Sequence, residues 1–133
     1  PAGFMENNET TAEAAARETL EEAGARIDLQ ELYTLMNVPH VHQVHMFYRA
    51  RLLDLDFSAG TESLDVKLFS ETEVPWNEIA FPTVAHTLKF LFADLAAHRK
   101  GQAFTLWTYA ARCKSNSDSA LMSTSWLRAQ VWR

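Results

Sequence analysis

The segment from Gly3 to Ala25 constrains the fold most, because it contains sequence signals for both the start and the end of a helix. Thr10 and Glu13 form the T-x-x-E pattern of a capping box, which starts a helix. Alanine-rich sequence follows, and Gly24 stands where a helix commonly ends in a left-handed residue. The sequence therefore predicts a loop followed by a capped helix.

Three glutamates on this helix, Glu18, Glu21 and Glu22, share one face through their i, i+3, i+4 spacing. Unpaired like charges at this spacing cost a few tenths of a kcal/mol each, and Arg17 can offset only part of that repulsion. Mg²⁺ would turn the repulsion into attraction, because it takes oxygen ligands and bridges carboxylates to substrate phosphates. For three glutamates taken alone, a solvated acidic face is the alternative.

Composition narrows the function classes. A chain of 133 residues is about one domain, and its net charge of −5 argues against nucleic acid as a partner. An anionic ligand would therefore need a bound cation. No apolar run approaches the roughly 20 residues of a membrane span, and no signal peptide is visible. We therefore expect a soluble protein. The single cysteine, Cys113, excludes an internal disulfide, so we expect this protein in the reducing cytoplasm.

Later elements follow from apolar periodicity. The pattern predicts strands at about Leu29–Met36, His42–Leu53 and Asp65–Phe69. Thr83–His98 has helical spacing with one apolar face, formed by Val84, Leu88, Leu91, Phe92 and Leu95.

The character changes from Gly101 onwards. Phe104–Ala111 is interpreted as one more strand or a short helix, and serine-rich Lys114–Ser125 as loop or disorder. We therefore expect one domain over residues 1–100 and a partly disordered C-terminal extension of unknown role over 101–133.

The segment GFMENNETTAEAAARETLEEAGA also resembles the signature of the Nudix hydrolases, G-x5-E-x7-R-E-U-x-E-E-x-G-U. It matches at every fixed position: Gly3, Glu9, Arg17, Glu18, Glu21, Glu22 and Gly24. Thr19 and Ala25 fill the aliphatic positions less well. The resemblance implies an α/β fold, an α/β/α sandwich with a mixed sheet. It also implies hydrolysis of nucleoside diphosphate derivatives that depends on Mg²⁺ or Mn²⁺.

The resemblance further implies a role for each signature residue. The metal ligands would be two principal glutamates, Glu18 and Glu22, joined by Glu21 and the carbonyl of Ala2. Arg17 and Glu9 would pair and hold the loop against the helix. The metal would polarise phosphoryl oxygens and help to generate hydroxide from water, with one carboxylate assisting as a base.

Family members often carry one more glutamate after the signature, which binds a metal or positions the water. Glu62 stands where that residue often lies, and Glu71 and Glu73 are weaker candidates. A surface carboxylate is the alternative for Glu62. Phe4, inside the signature loop, is a candidate for substrate contact.

The histidines of PHVHQVH invite a zinc interpretation. On a strand, His40 and His42 would share one face while His45 points to the other. One strand cannot gather three ligands in that arrangement, so we interpret these residues as ordinary strand or loop histidines.

A wider resemblance covers about residues 1–98. It is a similarity to FAD or ADP-ribose pyrophosphatases, which release AMP and usually carry an N-terminal zinc ribbon. Three segments carry it: LYTLMNVPHVHQVHMFYRARL, ESLDVKLFSETEVPWNEIAFPTV and TLKFLFADL. The NADH-type segment SQPWPFP is absent. Because family members have strands before the signature glycine, we expect an N-terminally truncated domain that forms homo-oligomers. One alternative to an enzyme is a non-catalytic fragment or ligand-binding module. An alternative to FAD or ADP-ribose is another Nudix substrate, such as a nucleoside triphosphate.

Overall fold

The structure, a computed structural model, describes residues 1–61 and 63–98 and the backbone of residues 107–110. Its helices and strands are α1 (Thr11–Ala23), β1 (Ile27–Val38), β2 (Gln43–Leu52), α2 (Pro82–His98) and β3 (Trp107–Ala110). Two single 3₁₀ turns lie between them, at Pro39–Val41 and Glu71–Glu73. In the described part of the chain, neither α-helix combines the length and the apolar character needed to span a membrane.

Both ends of α1 lie where the sequence predicts them. The Thr10 hydroxyl accepts a hydrogen bond from the Glu13 N–H at 3.2 Å, and the Glu13 carboxylate accepts from the Thr10 N–H at 2.7 Å. At the other end Gly24 has φ of 57°, and its N–H donates to the Leu20 carbonyl at 2.9 Å. The capping box and the left-handed glycine are thereby confirmed.

β1 and β2 form an antiparallel hairpin, which confirms the first two predicted strands. The pairing runs from Ile27 opposite Leu52 to Val38 opposite Gln43, with register shifts near Leu32. The 3₁₀ turn makes the connection, followed by His42 in a left-handed conformation with φ of 55°. His40 and His42 thus lie in an exposed turn, which is the loop alternative of the sequence interpretation.

The sheet is mixed, as the sequence resemblance implies. Its strand order is β2-β1-β3, and β3 pairs in parallel with β1 over Thr34–Asn37. Of the two interpretations of Phe104–Ala111, a strand is the one observed at Trp107–Ala110. Residues 104–106 and 111, like Lys114–Ser125, lie outside the described residues. Within those residues no strand lies beyond β2. An open edge can pair with another chain, so the predicted self-association stays a prediction.

The helices cover opposite faces of this sheet. On one face the Thr11 hydroxyl of α1 meets the Tyr48 hydroxyl at 2.6 Å. On the other face His45 Nδ1 lies 2.7 Å from the Thr83 hydroxyl of α2. His45 and Tyr48 are three residues apart on one strand, so their side chains point to opposite faces. The architecture is the expected α/β/α sandwich.

The face of α2 that is most deeply buried is polar. Thr83, Thr87 and Asp94 are buried, whereas the predicted apolar face is only half-buried. The sheet supplies the reason: the Thr87 hydroxyl pairs with that of Thr34 at 2.9 Å, and Asp94 accepts from the Tyr33 hydroxyl at 2.9 Å. Periodicity predicted the helix, but the polar groups on β1 decide which face turns inward.

The strand predicted at Asp65–Phe69 is wrong. This segment is irregular, and of its two alternating apolar side chains Val66 is only half-buried and Leu68 is exposed. Within the described residues it pairs with no strand. Alternation predicts a strand only where a neighbouring strand is within reach.

We expect stability to fall between about pH 6.5 and pH 4 because of His45. Burial lowers the pKa of His45 to about 4, against about 6.5 in an unfolded chain. Within that window the unfolded chain takes up a proton that the folded chain excludes. Protonation of His45 in the unfolded chain therefore lowers the free energy of unfolding by about 3 kcal/mol at most, and this contribution of His45 levels off below pH 4.

Denaturant unfolding at pH 7, 6, 5 and 4 measures this contribution. His45→Gln should flatten the decline, and His40→Gln, at an exposed position, serves as the control. Contributions of other groups cancel in the difference between the wild type and each variant. Equal pH dependence of the wild type and His45→Gln would contradict the prediction.

Candidate functional site

The N-terminal loop lies directly against the carboxylate face of α1. A Cβ atom added to Gly3 would fall 1.8 Å from Cδ of Glu18, so only glycine allows this approach with the carboxylate where it is. The Ala2 N–H donates to Glu22 Oε2 at 2.9 Å. Glu18 and Glu22, one helical turn apart, therefore both face the backbone of the loop.

Glu21 differs from the other two glutamates in its surroundings. Its side chain is 59% exposed, against 16% for Glu18 and 30% for Glu22. The three carboxylates lie on one side of the helix, as predicted, but only two of them are held beside the loop.

Arg17 joins the loop to the helix. Its Nε and Nη2 donate to the two oxygens of Glu9 at 3.1 and 2.8 Å, a bidentate pair. Nη2 also donates to the Phe4 carbonyl at 3.0 Å. The loop is thus fixed through both a side chain and its backbone, and the predicted pairing of Arg17 with Glu9 is present.

The remaining nitrogen of the same guanidinium compensates the carboxylate face. Nη1 donates to Glu18 Oε1 at 2.8 Å and to Glu21 Oε2 at 2.9 Å. Hydrogen bonds from Arg17 hold the pKa of Glu9 below its ordinary value, and the Glu6 N–H adds to this effect. The bonds to Glu9 and then to Glu18 raise the pKa of Arg17 in turn. The pair stays ionised throughout the neutral range.

The donor set suits a hard divalent cation. In the part of the chain that the structure describes, no three His, Cys, Asp or Glu side chains converge as a ready-made ligand group. Mg²⁺ does not need one, because it commonly takes one or two protein carboxylates and completes its octahedron with water and phosphate oxygens. Glu18 and Glu22, adjacent and partly exposed, meet that requirement.

A second loop is attached to the C-terminal end of α1. The Gly60 N–H donates to the Glu22 carbonyl at 2.9 Å, and the Ser58 N–H donates to the Ala23 carbonyl at 3.0 Å. These bonds satisfy two carbonyls that a helix end leaves unpaired. A Cβ added to Gly60 would lie 1.8 Å from the Glu21 carbonyl oxygen, so this contact requires glycine.

Two clefts open beside the glutamates. The first, of about 290 Å³, lies between Glu18 and the sheet, where Met46 and Tyr48 form part of its wall. The second, of about 260 Å³, lies between Glu22 and the loop that follows Gly60. Among its described residues, that loop contributes Ser63, Asp65, Val66, Lys67 and Phe69 to the lining.

The structure does not identify the additional glutamate that is expected after the signature. Glu62 lies outside the described residues. Glu71 and Glu73 form the 3₁₀ turn before α2, and neither lines the clefts beside Glu18 and Glu22. Phe4 is 39% exposed, and its predicted contact with substrate stays a prediction.

The residues of the second cleft were missed because the sequence placed them on a strand. Asp65, Lys67 and Phe69 are far from Glu22 along the chain, and no local pattern connects them with it. The bonds that bring them together involve the backbone of Ser58 and Gly60. Gly60 was the only usable signal, since an isolated glycine can mark a close backbone approach.

Comparison with known proteins gives two matches. A family model described as "NUDIX domain" matches residues 1–92, which include the loop, both strands of the hairpin and α1. A solved structure described as the crystal structure of a NUDIX hydrolase from Nitrosomonas europaea is 49% identical, with a TM-score of 0.73. The match covers 82% of this chain and 60% of that one. Among curated proteins there is no match.

We expect Gly60→Ala to lower the free energy of unfolding by about 1–3 kcal/mol, because overpacking against backbone forces the loop to move. The bond from Gly60 to the Glu22 carbonyl would be lost with it. Denaturant unfolding measures the loss, and Ala59→Ser, at the exposed neighbouring position, is the matched control. Equal midpoints for Gly60→Ala and the wild type would show that the loop is not held tightly against α1.

Proposed function

The chain belongs to the NUDIX family, and from that premise we propose that it hydrolyses the diphosphate linkage of a nucleoside diphosphate derivative. Nudix enzymes generally use a divalent metal ion such as Mg²⁺. The observation that carries the proposal is the pair Glu18 and Glu22, which face the backbone of a loop fixed by Arg17 and Glu9.

Glu18 and Glu22 would be the principal ligands of Mg²⁺ or Mn²⁺, with Glu21 and the Ala2 carbonyl completing the set. The low exposure of Glu18 and the position of Glu22 beside Ala2 support this ranking over Glu21. When bound, the metal supplies a Lewis acid for the phosphoryl oxygens and lowers the pKa of a coordinated water.

The chain's own groups position the reactants. Glu9 and Arg17 keep the loop backbone against the helix, so that the ligand oxygens stay within reach of one ion. In the attack, a water oxygen bonds to phosphorus, the bridging P–O bond breaks, and a carboxylate takes the proton. Glu21, the most exposed of the three glutamates, is a candidate for this base, and Glu62 is a candidate for positioning the water.

We propose FAD or ADP-ribose as the substrate class, with AMP as one product. The support is the similarity of residues 1–98 to pyrophosphatases of these compounds. The net charge of −5 means that the metal would also have to attract the substrate, because uncompensated carboxylates would repel an anionic diphosphate.

Glu22→Gln and Glu18→Gln should each lower kcat about a hundredfold or more, since both would remove charge that holds the metal at the reacting phosphate. Glu31→Gln is the control, because Glu31 is an exposed glutamate paired with Arg49 on the hairpin. Calorimetric titration with Mg²⁺ or Mn²⁺ should show weaker uptake in the first two variants only. Near-wild-type turnover in Glu22→Gln would refute the assignment.

A substrate panel with Mg²⁺ tests the substrate class: FAD, ADP-ribose, NADH, diadenosine polyphosphates and oxidised dGTP. We expect AMP to be released with the highest kcat/KM from FAD or ADP-ribose. Faster release of pyrophosphate from the triphosphate would reject this substrate class. Metal-dependent binding of ADP-ribose without turnover of any compound would instead favour a ligand-binding module.

A further inference from the structure

The cleft beside Glu22 contains a cation and an aromatic ring that the proposed hydrolysis does not use. Lys67 Nζ contacts the Asp65 carboxylate, and the Lys67 side chain is 63% exposed. Phe69 lines the same cleft and is 49% exposed. An exposed ion pair contributes little to stability, so Lys67 can exchange Asp65 for another anion at small cost.

The position of this cleft is fixed by the catalytic helix itself. Gly60 bonds to the carbonyl of Glu22, the same residue whose carboxylate lines the cleft. The Ser63 N–H donates to the Gly60 carbonyl at 3.1 Å. This bond connects the attached part of the loop to the residues just before Lys67. A phosphate held at Glu22 by a metal would therefore lie in one cleft with the Lys67 ammonium.

The charges in the cleft suit a phosphate only after a cation has bound. Among the described residues that line the cleft, Glu22 and Asp65 are negative and Lys67 is positive, and the Pro1 ammonium lies 3.8 Å from Glu22 Oε2, so the cleft alone has no excess of positive charge. A divalent cation at Glu22 would supply that excess, and the Lys67 ammonium would then add to the attraction for an anion. Lysine is a common phosphate ligand that acts as a point charge.

We propose that the second cleft binds the part of the substrate that extends from the diphosphate past Glu22. Lys67 contacts a phosphate oxygen, and Phe69 with Val66 offers an apolar surface to the attached sugar or ring. This inference rests on the proposed function, because it takes the diphosphate to be held at Glu22. It makes Lys67 and Phe69 determinants of substrate affinity.

The test measures binding without turnover. The α,β-methylene analogue of ADP-ribose is titrated with Mg²⁺ into the wild type and into Lys67→Ala, Lys67→Arg and Phe69→Ala. We expect Kd to rise about tenfold in Lys67→Ala, the usual effect of removing one charged hydrogen bond. Phe69→Ala should weaken binding several-fold, and Lys67→Arg should retain most of the affinity.

Two further variants separate a direct contact from simpler effects. Arg51→Ala is the matched control, since Arg51 is an exposed cation paired with Asp28 that lines neither cleft. The double variant Asp65→Asn with Lys67→Ala removes both charges of the ion pair. It should stay weaker than the wild type if Lys67 contacts the phosphate, and full recovery would show that Lys67 only shields Asp65.

The outcomes distinguish the two proposals. Unchanged binding in Lys67→Ala, or an equal loss in Arg51→Ala, overturns the role of Lys67 while the hydrolase proposal stands. A wild type that binds neither Mg²⁺ nor the analogue overturns the proposed function and this inference together. Thermal midpoints equal to that of the wild type establish that a loss of binding in Lys67→Ala is local to the cleft.

Discussion

The ion pair between Arg17 and Glu9 is the interaction on which the site depends. The bidentate contact holds the N-terminal loop to α1, and the third guanidinium nitrogen of Arg17 holds Glu18 and Glu21. A helix face with three carboxylates would otherwise repel itself. The Arg17 side chain thus reduces the repulsion between the carboxylates and also holds the backbone of the loop beside them. Lysine could not replace it, because a single ammonium lacks the planar fork that reaches several acceptors in fixed directions.

The other end of the helix is finished by a different part of the chain. Ser58 and Gly60 cap the last carbonyls of α1, and both follow β2 in sequence. The β1–β2 hairpin therefore determines where this loop begins, and the helix end determines where it is fixed. The site is assembled from three segments, namely the N-terminal loop, α1 and the loop after β2. Glu22, on α1, contacts the other two: its carboxylate accepts from Ala2 and its carbonyl accepts from Gly60.

What the sequence predicts well is what short-range geometry decides. The capping box at Thr10, the left-handed Gly24 and the shared face of the glutamates all follow from spacing within one helix, and the structure has all three. The strand at Asp65–Phe69 failed because alternation carries no information about a pairing partner. The second cleft was not predictable for the same reason, since Lys67 and Glu22 line one cleft where backbone bonds of Ser58 and Gly60 hold the loop to α1. Long-range hydrogen bonds decide these features.

The arrangement of charges also fixes how cation and substrate affect one another. Arg17 is the positive partner of Glu18 and Glu21, and the cleft beside Glu22 has no excess of positive charge among its described residues. Under the proposed function, a divalent ion at Glu18 and Glu22 would compete with Nη1 of Arg17 for the Glu18 carboxylate, whereas the bonds of Arg17 to Glu9 and Phe4 use other nitrogens. The loop could stay in place while the carboxylate changed partner. A diphosphate would then bind more tightly with the ion than without it, and by reciprocity the ion would bind more tightly with the diphosphate. The acidic face would therefore favour anions that bind together with a cation, although the chain itself is acidic.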